Sequence, residues 1–465
     1  MNKKEKSFNW MFIIYPALAM MLGWGLRGHI GGGPFGAMIP GAMVALTLCL
    51  LLRIPSSASS VIVVFAVIGI GLGGQMTYGQ TLGFLVKPDT VWWGTIGTTL
   101  KGTIWGLLGG TVFSMGFVYR KLPRKTIIIA FLLMMLGMLI GFKLVNEPML
   151  LYFSDPSNPR TESWAALLTG AIFLLLYLKF KTNSSDFSII SRFAFWGAVG
   201  GGLGFGLGGC WRVLGSHLPD VIFASWWKAM EFTFGFLLGA FLGYAAWLNR
   251  SKIKTIIQHN KSTREHTYMS VWIELGFILL VALLIFWLIP KTAGPFARVD
   301  KPDDGFILGA LRDIVGMTVN YAFYGLILVL FIMRFPKIAW QLGITLTFCH
   351  SAIDLFRDLY PDINTWSPIT MHFFFVFMMT AIVALLVAYF NRKEGTIKNL
   401  FLLLIWSSIL ISLLRLATSP GAFELTSLSV CEIICRKYFV DIAFIILAVV
   451  VSLLTVKKFN KILTQ

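Results

Sequence analysis

Arg27 and His29 stand two residues apart within Gly23-Trp24-Gly25-Leu26-Arg27-Gly28-His29-Ile30-Gly31-Gly32-Gly33-Pro34, where an apolar run gives way to glycine. A comparable set, Trp211, Arg212 and His217, follows Gly206-Leu207-Gly208-Gly209. Arginine offers a planar, permanently charged fork to carboxylate, phosphate or sulfate, and histidine adds a group that titrates near neutrality. Gathered at one face of a membrane, two such sets would form an anion site. Gln75, after Gly71-Leu72-Gly73-Gly74, shares the context and joins the expected substrate-binding residues. For any one of these side chains, snorkelling to the headgroups is explanation enough; the recurrence is what favours a pocket.

A second group of charges lies within apolar runs. Lys101 falls in one, and Lys228 and Glu231 in another. Charge inside a membrane is costly, so such residues count as functional candidates by default. Aligning Leu107-Leu108-Gly109 with Leu237-Leu238-Gly239 sets Lys101 opposite Glu231 and predicts an ion pair between them. Lys228 and Glu231, three apart on a helix, are also placed to pair with each other. Farther on, His350 and Asp354 are one helical turn apart, the spacing of a proton relay or general-base pair, with an interhelical hydrogen-bond cluster as the plainer alternative. Arg312 and Asp313 are adjacent and should reach different helices.

The elements that must position these residues are transmembrane helices. Of 465 residues, 57% are hydrophobic and 13% charged, and apolar runs of spanning length follow one another along the whole chain. The runs are continuous rather than alternating, which excludes a β-barrel and predicts an all-α, polytopic membrane bundle of about fourteen helices. The net charge of +18 sits mostly in short loops between spans, as positive-inside topology requires, so nucleic acid is not expected as a partner. Both termini are expected on the cytoplasmic side of an inner or plasma membrane, with membrane lipids and a small anionic or lipid-linked substrate as partners. Lys3, Lys4 and Lys6 before an apolar run resemble the start of a signal peptide, but no small-residue cleavage pattern follows, so the segment should be retained.

Three regions follow from composition: a glycine-rich membrane half of eight helices over 1–249, a basic cytoplasmic loop over 250–268, and a six-helix half over 269–465. Within the first, Gly71-Leu72-Gly73-Gly74, Trp92-Trp93 and Leu107-Leu108-Gly109-Gly110 are echoed by Gly206-Leu207-Gly208-Gly209, Trp226-Trp227 and Leu237-Leu238-Gly239-Ala240, a rough parallel repeat. Consecutive glycines weaken a helix by about 1 kcal/mol each relative to alanine, so Gly31-Gly32-Gly33 and Gly200-Gly201-Gly202 are both expected to kink or unwind. Most other glycines need do no more than let helices approach.

Several chemistries are disfavoured. Gly204-Phe205-Gly206-Leu207-Gly208-Gly209 lies inside an apolar span with no preceding strand, so it is no dinucleotide fingerprint. The six histidines are dispersed, and neither His-Glu-x-x-His nor Cys-x-x-Cys occurs, so no metal or other cofactor is expected. Cys431 and Cys435 are expected to be free thiols on a short helix. Many spans, glycine-weakened helices in similar copies, an expected outward-facing basic pocket, and buried acids and histidine that could couple to protons favour a transporter of an anionic solute. A membrane-embedded transferase or hydrolase acting on a lipid-linked or periplasmic substrate is the alternative, and an assembly or scaffold subunit a third.

Overall fold

In the computed structural model the chain is all-helical among the described residues, which are 8–218, 225–259, 268–295, 305–359, 366–418, 433 and 438–459. Cys431 and Cys435 lie outside them. The principal helices are α1 (Met11–Ile30), α2 (Gly33–Leu52), α3 (Ser56–Gly73), α4 (Val91–Val118) and α5 (Arg124–Gly141). They are followed by α6 (Trp164–Lys181), α7 (Ser184–Ser216), α8 (Trp226–His259), α9 (Val271–Leu283) and α10 (Phe306–Thr318). The last five are α11 (Tyr321–Arg334), α12 (Leu346–Leu359), α13 (Trp366–Asn391), α14 (Thr396–Thr418) and α15 (Phe439–Phe459).

Twelve of the described helices are long and apolar enough to cross a membrane, and a thirteenth is added if α10 and α11, bent by 56° at Val319–Asn320, form one span. The run 338–356, which counts among the fourteen expected helices, is helical from 339 onward, but with His350 and Asp354 in it, it is not among the helices apolar enough to cross a membrane. The expected loop over 250–268 also differs, because α8 continues to His259. Ile253, Ile256 and Ile257 fall at helical spacing and are buried, so apolar packing extends the helix through a basic sequence.

α2 and α3 are buried almost along their whole length and form the centre. A helix apolar all round belongs in such a place. α1 packs between α2 and α8, and α4, α7 and α8 pack in series on one side. α12, α14 and α15 approach α1 from the other side. Glycine sets the spacing on the first side. A Cβ on Gly106 would lie 1.8 Å from the Gly197 carbonyl oxygen, and one on Gly102 2.2 Å from that of Gly201. Gly235, Gly239 and Gly243 of α8 likewise receive the backbone of α1 at Met20, Pro16 and Phe12. These are small residues repeated every fourth position, the pattern that lets membrane helices touch backbone to backbone.

The two glycine runs behave differently. Gly200-Gly201-Gly202 lies within α7, a single helix of 33 residues, so the chain does not unwind there. Gly200 fits against α8, and Gly201 and Gly202 against α4, so packing offsets their weak propensity. At Gly31-Gly32-Gly33 the helix does break. Gly32 and Gly33 have φ of 37° and 57°, conformations that favour glycine, and Pro34 then starts α2.

Candidate functional site

Arg27 lies in the last turn of α1 and is 4% exposed. Its guanidinium is boxed by three rings, 5.4 Å from the Trp24 centroid, 5.5 Å from Tyr78 and 5.1 Å from Trp105. Cation–π attraction replaces part of the water lost on burial. Nη1 donates to the Tyr78 hydroxyl at 2.6 Å and Nη2 to the Gly33 carbonyl at 3.3 Å. Tyr78 follows α3, outside the spanning helices, and its hydroxyl also reaches Glu231 Oε1 at 3.5 Å. Burial pushes the Tyr78 phenol up to about 12, partly opposed by the Arg27 charge, so it remains a neutral donor.

Glu231, 1% exposed, accepts from Trp227 Nε1 at 3.0 Å and from Lys228 Nζ at 2.6 Å. Lys228 Nζ also donates to the Gly25 carbonyl at 3.1 Å. A Cβ on Gly28 would stand 2.4 Å from Glu231 Oε1, so glycine is what admits the carboxylate beside α1. Trp227 stacks on Tyr78 with centroids 5.9 Å apart, and the Arg212 guanidinium lies 5.7 Å from the Trp227 ring. Arg27, Tyr78, Trp227 and Arg212 thus form one continuous series, fed by α1, the loop after α3, α8 and α7.

The second half of the chain meets the same break. His350 Nε2 contacts the Gly31 carbonyl at 2.5 Å, and Arg415 donates to the His29 carbonyl. Arg415 also holds Asp358 at 2.5 Å and Asp354 at 3.3 Å. His29 Nε2 lies 3.7 Å from Asp441 Oδ1, and among the described residues neither atom has a hydrogen-bond partner. The carbonyls of Gly25, His29, Gly31 and Gly33 are therefore each covered by a basic side chain. Cations at a helix C-terminus satisfy its free carbonyls and oppose the negative end of its dipole. Gly28, Gly32 and Gly33 are exposed, so this neutralised end is open at the surface of the molecule.

Two pairings expected from the sequence are replaced by others. Lys101 does not meet Glu231; its ammonium donates to Glu162 Oε1, Thr77 O and Thr81 Oγ1, each at 2.7 Å. That fills all three donors of the ammonium. Glu162 is completed by Phe153 N and Ser154 Oγ, both at 3.0 Å. This buried pair clamps the two residues that flank Tyr78 at a distance of one and three positions, so Lys101 positions the site rather than lining it. His350 and Asp354 do not hydrogen-bond to each other: the imidazole turns to α1 and the carboxylate to Arg357 and Arg415.

The remaining expected residues are dispersed. Gln75 Nε2 donates to Asn320 Oδ1 at the α10–α11 bend. Trp211 bonds Thr233 Oγ1 at 2.9 Å, and the exposed His217 turns back onto the Val213 carbonyl of its own helix at 2.8 Å. Asp313 pairs with Lys143 of a neighbouring helical segment at 3.1 Å. Tyr78, Trp105, Trp227, Arg415 and Asp441 belong to the site without having been singled out in the sequence. Arg415, a lone cation near the end of an apolar helix, carried the clearest signal; the aromatic residues carried none beyond their abundance. Comparison of the chain with models of protein families, with curated proteins and with solved structures finds no match.

Proposed function

We propose that this multi-pass membrane protein transports an anionic solute, which it binds at the broken end of α1. Charge carries this reading. Lys101, Lys228, Arg392 and Arg415 each hold a carboxylate within 2.7 Å, whereas Arg27 and Arg212 have no ion pair among the described residues. Trp24 Nε1, Arg27 Nε and Arg212 Nε are also buried donors without an acceptor among the described residues. Such groups are costly to keep unless an acceptor is supplied, and an anion supplies several. The exposed glycines at the break give access and bring no side chain that would compete for the donors.

The test is binding and uptake by protein reconstituted in liposomes, against a panel of carboxylates, phosphates and sulfonates. Arg27→Ala and Arg212→Ala should each abolish uptake while leaving a folded, inserted protein. Arg27→Lys should not restore it, because an ammonium loses the fork and fits the ring box poorly. Normal uptake in both alanine variants would overturn the proposal.

The His29–Asp441 pair favours a second reading, a membrane-embedded transferase or hydrolase using the imidazole as base. Under that reading His29→Ala would retain anion binding and lose turnover of a lipid-linked substrate. Under the transport reading no such turnover is found.

A further inference from the structure

α2, α14 and α15 carry the site at one end through Gly33, Arg415 and Asp441, and converge again at their other ends around a cavity of about 360 Å³. With 1.5 Å of rise per residue, the two ends of α2 are about 28 Å apart. Arg53, Lys393 and Lys398 line this second cavity, and Glu394 is the one acid among its lining residues. Its wall is apolar, formed in part by Ile54, Ile397 and Phe459.

Arg53 is the telling residue. It caps α2 in the left-handed conformation, with φ 55° and ψ 48°. Arg53 N–H donates to Leu50 O at 3.2 Å and Ile54 N–H to Cys49 O at 3.0 Å, the paired bonds that close a helix at a position usually taken by glycine. An arginine there bears a conformational cost that glycine would not. Its side chain is exposed and makes no ion pair among the described residues. Lys393, also exposed, contacts only a ring, that of Tyr389 at 5.2 Å, among the described ion-pair and ring partners. A strained backbone that presents a free guanidinium over an apolar cavity is a feature to be explained by what it holds.

We infer that this cavity binds a phosphate-bearing anion, its charge between Arg53 and Lys393 and any attached chain along Ile54, Ile397 and Phe459. The anion is either the headgroup of an anionic phospholipid or free phosphate. This assignment is independent of the site at the α1 break.

Native mass spectrometry of the protein taken from mixed phosphatidylglycerol and phosphatidylcholine vesicles tests it, followed by titration with inorganic phosphate. The wild type should retain phosphatidylglycerol selectively or, if the source is free phosphate, bind phosphate itself. In Arg53→Gly combined with Lys393→Ala, that binding should fall by roughly tenfold or more, as expected for loss of charge-assisted contacts. Arg53→Gly relieves the left-handed strain, so an unchanged or raised melting temperature separates lost binding from lost folding. Displacement of the lipid by inorganic phosphate, or phosphate binding alone, assigns the site to the free anion. Retention of the lipid against phosphate assigns it to the headgroup. Equal retention of the two lipids with no phosphate binding, or full binding in the double variant, overturns the inference.

Discussion

At the scale of single residues, the site depends on two groups that are not charged. The Tyr78 hydroxyl joins Arg27 to Glu231, and Gly28 makes room for the Glu231 carboxylate. Tyr78→Phe leaves a buried Arg27 donor without its acceptor, a loss of about 1–3 kcal/mol, and should weaken anion binding accordingly with the fold intact. The pH profile gives a sharper test. A phenol with its ionisation raised stays protonated until the pH passes the raised value, so its O–H contribution is present below about 12 and lost above it. Wild-type affinity should therefore show no step between about pH 9 and 11, where an ordinary tyrosine ionises. A wild-type step in that range that Tyr78→Phe removes would show the phenol to be unperturbed. Gly28→Ala should fail for a steric reason: the carboxylate can retreat from the new methyl only by giving up Trp227 or Lys228. Anion affinity, read by isothermal titration, should drop by about tenfold for the loss of one such bond. An unchanged affinity would mean that Glu231 is freer than its bonds imply.

At the scale of elements, glycine performs two different jobs that look alike in sequence. Gly106 is a contact surface, with the Gly197 carbonyl 1.8 Å from where a Cβ would stand, while Gly33 is a backbone conformation with open space around it. Gly106→Leu should separate α4 from α7 and leave little folded protein. Gly33→Ala should fold with a modestly lowered melting temperature, since the left-handed conformation costs an L-residue about 1–2 kcal/mol. Thermal unfolding of both variants in detergent decides the point, and equal destabilisation would collapse the distinction. The contrast also shows what the sequence could reveal. Helical spans and the wish of glycine for close contact are local properties, legible from hydropathy and from spacing by fours. Whether Gly200-Gly201-Gly202 bends depends on the backbones of α4 and α8 lying against it, which is information held by other segments. The same limit applies to Lys101, whose partner Glu162 lies 61 residues away in a loop rather than on the helix that carries Glu231. A buried ammonium takes whichever carboxylate the fold delivers, and alignment of two apolar runs does not specify that.

At the scale of the whole molecule, the end of α1 is where both halves of the chain meet. Lys228 and Tyr78 approach it from the first half, and His350, Arg415 and Asp441 from the second. The sequence marked Arg27 and His29 as candidates but held no sign that Arg415 and Asp441, far along the chain in its second half, share their surroundings. A transporter built this way should move the second-half helices relative to the glycine-zipped first half, changing access at the two ends of α2 in opposite senses. Cysteine labelling can follow both ends. Cys49 and Cys349 are buried and Cys210 is exposed, so a background with the exposed thiol replaced by serine gives low blank labelling among the described cysteines. Gly32→Cys places a thiol at the exposed break without a clash, at the conformational cost of its positive φ, and Arg53→Cys places one at the far cavity. A membrane-impermeant thiol reagent should reach the two from opposite sides of the bilayer. The transported anion should slow labelling at Gly32→Cys by occupying the break and, by driving the exchange of access, should alter the rate at Arg53→Cys as well. An enzyme or a static binding protein would show the first effect alone, because its far end has no reason to respond to a ligand about 28 Å away. Protection at Gly32→Cys with an unchanged rate at Arg53→Cys would therefore remove transport and leave anion binding.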